Sequence, residues 1–244
     1  MKTAQPLFDQ PNLAEAYDDV RAKDGLPNDI IETPALKSVL PCLRGCEVLD
    51  LGCGMGGMTQ WAISQGAQSV RGVDVSERMI TAARSAHPAA NFDVGNIEEL
   101  AAPIESVDVV MSGLAFHYVN DLDRLFHRIS GWLRPGGVLA FSVEHPVMTC
   151  GDRKWHEAPS GERLHWPVDH YLTEGFRTVS WLGVEVTRYH RAVASYINAA
   201  LDAGLLITRV LEPGPTAEHS AYWPRLADHG RRPSFLVIAA RKPK

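Results

Sequence analysis

The sequence predicts an α/β fold: a doubly wound, mostly parallel sheet with helices on both faces and a β-containing insertion after the fifth strand. Three observations predict it. Apolar runs of strand length alternate with segments whose apolar residues recur at the helical period. The turn after the first strand is rich in glycine and lies between two acidic strand ends, Asp50 and Asp74. The alternation then lapses for about 45 residues after His145, too long for an ordinary connection in a compact domain.

Taken in order, the strands are Glu47 to Leu51, Ser69 to Val75, Asn91 to Val94, Val107 to Ser112 and Gly137 to Val143, each bounded by Gly, Asp or a polar residue. Between them Met58 to Gln65, Ser76 to Ala86 and Asp121 to Leu133 show one apolar face each. Ser76 and Asp121 stand as N-caps, and Pro135-Gly136-Gly137 as a stop. Ahead of the first strand, a helix over Ile30 to Leu40 belongs to an N-terminal extension, residues 1–44, that packs over the sheet edge or a ligand crevice. The insertion, residues 146–190, carries two alternating runs, Phe176 to Trp181 and Val184 to His190, around Leu182-Gly183, which reads as a β-hairpin. A helix from Ala192 to Ala203 stops at Gly204, and Leu205 to Leu211 and Phe235 to Ala240 complete the strands. The core is therefore 45–145 with 191–244.

Composition narrows the partners. The 244 residues carry 24 Lys and Arg against 29 Asp and Glu, a net charge of -5, so no global basic field exists to hold nucleic acid or an anionic membrane. The first twenty residues lack the apolar run of a secretory signal, and the apolar stretch Val107 to Val119 is too short and too polar to span a bilayer. The expectation is a cytoplasmic protein, monomer or homodimer. Its four cysteines, Cys42, Cys46, Cys53 and Cys150, are too few and too unevenly spaced for a disulfide framework. No Cys or His pair with ligand spacing accompanies Cys42 and Cys46, so no metal is expected.

The chemistry begins at VLDLGCGMGG, residues 48–57. Glycines between a strand and a helix let the backbone approach a ligand closely at the crevice beyond the strand ends. Asp74, ending the second strand in GVDVS, is placed to accept both ribose hydroxyls of an adenosine. Asp50 discriminates among adenosine ligands: a carboxylate two residues before the first glycine repels a pyrophosphate but can receive the ammonium of a methionine moiety. This disfavours a NAD-dependent oxidoreductase. The motifs DLGCGMG (50–56), GVDVSERM (72–79), VGNIEEL (94–100), VDVVMSGLAFHYVND (107–121) and LRPGG (133–137) together resemble the class I S-adenosylmethionine-dependent methyltransferases, small-molecule type 11-like, continuously over about residues 45–145. The resemblance implies a Rossmann-like seven-stranded sheet with its last strand antiparallel. It implies S-adenosylmethionine held by Gly52, Gly54 and Gly56, with Asp74 and Val75 at the ribose and Met79 on the adenine face. Asn96 replaces the usual Asp that accepts the adenine amino group, and its side-chain carbonyl can still accept that bond. Ile97 offers a backbone amide, Ser112 and Gly113 flank the transferable methyl, and Tyr17 stands near the cofactor carboxylate.

The acceptor side is read from the insertion. His145, His156, His165, His170 and His190, with Trp155, Trp166 and Trp181, fall within 145–190, a composition suited to a lid over a planar or apolar small molecule. His145 at the end of the fifth strand, His190 and Tyr171 are the candidate catalytic groups. His117, Trp166, Arg177 and Arg191 are the candidate acceptor contacts. The segments WPVDHYLTEGFR (166–177), YHR (189–191) and EPGP (212–215) resemble a subset of these methyltransferases, and a salt-bridged hinge accounts for their Glu and Arg residues as well as substrate binding does. The expected reaction is methyl transfer to N or O, less readily C or S, of a small molecule. A non-catalytic S-adenosylmethionine-binding subunit or sensor is the alternative. A nucleic-acid base methyltransferase would need an Asn/Asp-Pro-Pro-aromatic segment where Ser112-Gly113-Leu114-Ala115 stands.

Overall fold

The computed structural model describes residues 6–10 and 27–244. Seven strands form one sheet in the order β10-β11-β5-β4-β1-β2-β3. They are β1 (Glu47–Leu51), β2 (Ser69–Asp74), β3 (Asn91–Val94), β4 (Val107–Ser112), β5 (Leu133–Glu144), β10 (Leu206–Leu211) and β11 (Phe235–Arg241). Pairing is parallel from β3 through β5, whereas the last strand, β11, runs antiparallel to both β5 and β10. This is the seven-stranded Rossmann-like sheet expected from the sequence. Four of the five residues of β1 and six of the seven of β11 are buried, as strands covered on both faces must be.

The helices sit where the apolar periodicity places them. They are α1 (Thr33–Val39), α2 (Gly57–Ser64), α3 (Glu77–Ala86) and α4 (Leu122–Trp132), then α5 (Pro146–Thr149) and α6 (Val193–Asp202). Ser76 Oγ accepts from Met79 N at 3.1 Å and Asp121 Oδ1 from Arg124 N at 3.0 Å, so both expected N-caps close their first turns. The largest core cluster joins Phe116, Phe126, Phe141 and Tyr196 beneath α4 and α6, with the three phenylalanine rings within 5.5 Å of one another.

Several details depart from the sequence reading. The Ile30 to Leu40 helix begins instead with a π-helical turn, Asn28–Glu32, a form that often accompanies functional positions. Pro135-Gly136-Gly137 is a bend within β5 rather than a stop before it, because Gly136 N and Gly137 O exchange hydrogen bonds with Lys242. Two short helices between β10 and β11, α7 (Ala217–Tyr222) and α8 (Ala227–Arg231), carry too little periodicity to be read in advance.

After β5 the chain leaves the sheet for a β-containing insertion. The insertion contains a small ladder, β6 (His156–Glu157) with β7 (Arg163–His165), and the hairpin β8 (Gly175–Trp181) with β9 (Val184–His190). Leu182 and Gly183 connect the hairpin with φ of 50° and 79°, both in the left-handed region that a two-residue hairpin turn of matching twist requires. Leu7 packs into the cluster around Val186, and Phe8 meets Trp181 edge-on at 6.1 Å. The N-terminal segment and the hairpin thus close over the strand ends together.

Candidate active site

The C-terminal ends of β1, β2, β4 and β5 open into a cavity of about 930 Å³, where parallel strands of a doubly wound sheet characteristically hold ligands. Its first wall is the turn after β1. Gly52 N and Cys53 N both donate to Val73 O, at 2.8 and 3.1 Å, folding the turn back onto β2. Gly52 has φ of +74°, and a side chain there would place its Cβ 2.3 Å from the Cβ of Ala115. Gly54, φ +53°, lines the cavity with nothing within 4 Å of where its Cβ would stand. The backbone here is bare so that something else can lie against it.

Two carboxylates flank this turn. Asp74 accepts from Gly54 N through Oδ2 and from Ser76 N through Oδ1, both at 2.9 Å. Each oxygen retains a lone pair, so the group can receive a vicinal diol. Burial raises its pKa against those stabilising bonds. Asp50 is 1% exposed, lines the same cavity and accepts from Thr59 Oγ1 at 2.7 Å. Burial pushes its carboxyl up to about 7, the condition of an acid awaiting a cation. Val75, Met79, Asn96 and Ile97 complete this half of the lining. Asn96 Oδ1 accepts from Glu98 N at 3.0 Å, which pins its side chain.

Open space over glycine, a carboxylate poised for a diol, a buried carboxylate lacking a cation and an apolar Met79 wall fit S-adenosylmethionine. A family described as "Methyltransferase domain" matches residues 49–141. A crystal structure of an S-adenosylmethionine-dependent methyltransferase from Mesorhizobium loti is 40% identical, superposes with a TM-score of 0.82 and covers 86% of this chain and 97% of its own. The chain belongs to the class I S-adenosylmethionine-dependent methyltransferases. An uncharacterized protein from Haemophilus influenzae is 34% identical to this methyltransferase over 97% of the chain and 96% of its own. A malonyl-[acyl-carrier protein] O-methyltransferase from Pectobacterium atrosepticum is 35% identical, but over only 44% of this chain and 42% of its own length. The methyltransferase therefore spans less than half of that relative.

Some expected cofactor residues lie behind the cavity wall. Ser112 is fully buried and its hydroxyl donates to Leu51 O at 2.7 Å, so it joins β4 to β1. Gly56 begins α2 with φ +82°, and a Cβ there would stand 2.6 Å from the Phe92 ring; it lets the helix settle on β3. Gly113 lines the cavity. Tyr17 lies outside the described residues.

The residues expected at the acceptor divide more sharply. His117 lines the cavity, 2% exposed, and burial lowers its pKa to about 3, so it is neutral. His145, His190 and Tyr171 do not reach the cavity. His145 caps α5 through Nδ1, accepting from Val147 N at 3.2 Å, while Nε2 meets Glu212 at 2.7 Å. Both ring nitrogens of His190 are occupied, by Thr149 Oγ1 at 2.7 Å and Tyr171 O at 2.9 Å, and Tyr171 Oη accepts from Val193 N at 3.1 Å. Arg191 donates to the carbonyls of Val119 and Asn120, each at 2.8 Å. Arg177, on β8, donates to Thr173 O in the loop before the strand. Trp166 donates to Val147 O at 2.9 Å and lies 4.3 Å from the Arg232 guanidinium, while Trp155 lies 4.4 Å from that of Arg231. These two rings clasp arginines rather than facing the cavity.

Other groups line the cavity instead: Glu144, Arg153, Arg188, Tyr118, Trp181, Glu32 and His229. Arg153 holds Glu144 bidentately, at 3.0 and 3.2 Å, and Arg188 pairs with the same carboxylate. Burial opposes ionisation of Glu144, yet Arg188 and Arg153 hold its pKa down to about 2. Ser142 Oγ donates to Glu32 Oε1 and accepts from Leu114 N at 3.0 Å, and burial raises the Glu32 pKa. One signal could have found Arg188. In β9 the inward positions are Val186, Arg188 and His190, so the hairpin's own alternation puts a guanidinium on the apolar face.

Proposed function

We propose that this methyltransferase transfers the methyl group of S-adenosylmethionine to an oxygen or nitrogen of a small molecule, less readily to carbon or sulfur, by in-line displacement. The observation that supports it is the continuity of the cavity, from Asp50, Gly54 and Asp74 to Glu144, Arg153 and Arg188. Its volume falls at the upper end of the range for small-molecule sites, roughly 300–1,000 Å³. S-adenosylmethionine, when bound, supplies a methyl group already activated by a sulfonium leaving group. The protein's part is then to orient the acceptor, exclude water and keep the reacting centre dry. Phe8, Trp181 and Met148 supply apolar cover, and Glu32, His117 and His229 are among the titratable groups at hand should an acceptor proton need a carrier.

In this proposal residues 1–44 and 146–190 cap a cofactor core formed by 45–145 and 191–244. His145, His190 and Tyr171 hold the cap in place. The O-methyltransferase named above favours oxygen as the acceptor atom, but its match covers only part of the chain, and the insertion adds Met148, Arg153, Trp181 and Arg188 to the wall here. A single chain or a homodimer acting in the cytoplasm, without nucleic acid or membrane, completes the reading. Among the described residues no helix is long and apolar enough to cross a membrane. Titration calorimetry with S-adenosylhomocysteine and NAD, followed by a screen of oxygen and nitrogen acceptors read by S-adenosylhomocysteine release, tests it. Binding of S-adenosylhomocysteine, and not NAD, with turnover on some acceptor is expected. Binding with no turnover across the screen would count against catalysis on a small molecule.

A further inference from the structure

Arg188 is an arginine with a donor to spare. It is 3% exposed, lines the cavity, spends one arm on Glu144 and donates to the Tyr118 hydroxyl. Its guanidinium lies 5.6 Å from the Trp181 ring centre and 5.9 Å from that of Tyr118, and its Nε has no hydrogen-bond partner. A buried charged donor left unmade is costly, and native structures rarely keep one without a use.

The charge count points the same way. Two guanidiniums, those of Arg153 and Arg188, share the single carboxylate of Glu144, and a guanidinium cannot shed its proton. His117 beside them adds no negative charge. Among the described residues neither guanidinium pairs with a second carboxylate: Glu32 bonds Ser142 and Thr33, and Glu98 the amides of Asn120 and Asp121. The Glu144 cluster itself thus holds one more positive charge than negative, in a largely desolvated wall.

Position separates this charge from the ribose site. Glu144 ends β5, and three strand spacings in the order β5-β4-β1-β2 lie between it and Asp74, about 14 Å at ~4.8 Å per spacing. A second small molecule can occupy the cavity between them. Arginine forks match the two oxygens of a carboxylate, which accepts parallel N–H bonds from one fork.

We propose that the methyl acceptor is an anion of the carboxylate class and that Arg188, assisted by Arg153, receives its charged group. This rests on the methyltransferase reading above. Glu144 then holds the two forks apart at fixed orientation, and the ring walls of Tyr118 and Trp181 keep water from the pair.

The test is calorimetry on the full chain in two stages. S-adenosylhomocysteine is titrated first into wild type, Arg188→Gln and Arg153→Gln. Acetate, succinate and citrate, each against its neutral amide, are then titrated into the saturated proteins. We expect all three proteins to bind S-adenosylhomocysteine within about threefold of one another. At least one carboxylate should bind wild type at least tenfold more tightly than its amide, and Arg188→Gln should lose roughly tenfold or more of that affinity. Arg153, less buried than Arg188, carries the same test should Arg188→Gln fail to fold. Equal binding of carboxylates and amides, or carboxylate binding untouched in both variants, would overturn the proposal while leaving the cofactor reading intact. Selective loss of S-adenosylhomocysteine in Arg188→Gln would overturn it too, by assigning the arginine to the cofactor's own carboxylate. Failure of wild type to bind S-adenosylhomocysteine would instead remove the methyltransferase reading on which it rests.

Discussion

If Asp50 receives the cofactor ammonium as proposed, this one side chain ties pH to ligand affinity. Its carboxyl, pushed up to about 7 by burial, is largely protonated at pH 6 in the free protein, whereas a bound ammonium group requires it ionised. The affinity linkage therefore has a definite sign: binding strengthens as pH rises toward and through 7 and weakens below it. S-adenosylhomocysteine affinity measured by calorimetry should rise several-fold between pH 6 and 7.5. Asp50→Asn should bind more weakly and lose that slope. A wild-type slope retained in the variant would move the linkage to another group, with Asp74 the first to consider.

At the scale of the element, the glycine turn contains two different constraints that a motif alone does not separate. Gly52→Ala meets the Ala115 Cβ at 2.3 Å and a φ of +74°, so it should cost about 2 kcal/mol or more of stability through strain and overpacking. Gly54→Ala faces open cavity at φ +53° and should cost only about 1 kcal/mol, yet weaken S-adenosylhomocysteine binding disproportionately because its methyl enters the ligand's space. Denaturant melts paired with calorimetry distinguish the two. His145 belongs to the same scale, since it caps α5 and ties it to Glu212 across the chain. Burial lowers its pKa against the pull of Glu212. His145→Ala should lower the melting temperature while leaving turnover per folded molecule nearly unchanged. A large fall in kcat without loss of stability would restore the catalytic role that its strand-end position suggests.

For the whole molecule, the cavity joins the sheet's strand ends to a cover made from both the N-terminal segment and the hairpin, so a ligand should stabilise everything at once. At a hundredfold its Kd, S-adenosylhomocysteine contributes about 2.7 kcal/mol, which for a chain of this length corresponds to a rise in Tm of roughly 5–10 °C. NAD should leave Tm in place. A rise with NAD and none with S-adenosylhomocysteine would contradict the cofactor assignment, whatever the fold.

Some of this molecule was legible residue by residue. Period-two and period-3.6 patterning located β1 to β4, α2 to α4 and the hairpin, because those periods record which side of an element faces the core. The GCGMG turn and the acids at 50 and 74 announced the cofactor side, because close backbone approach and charge placement are local demands of one strand–turn–helix unit. The acceptor side is not local. Glu144, Arg153 and Arg188 come from a strand end, a loop and a hairpin, and only tertiary folding makes them one charge cluster. The histidines and tryptophans that crowd 145–190 suggested chemistry by composition. Folding turned His145, His190, Trp155 and Trp166 toward caps, carbonyls and arginines, because a long insertion must satisfy its own polar groups before it can offer any to a ligand. Sequence alone thus determined the fold and the cofactor, while the direction each insertion side chain faces, and with it the charge proposed for the acceptor, was decided by the packing of the insertion on the sheet.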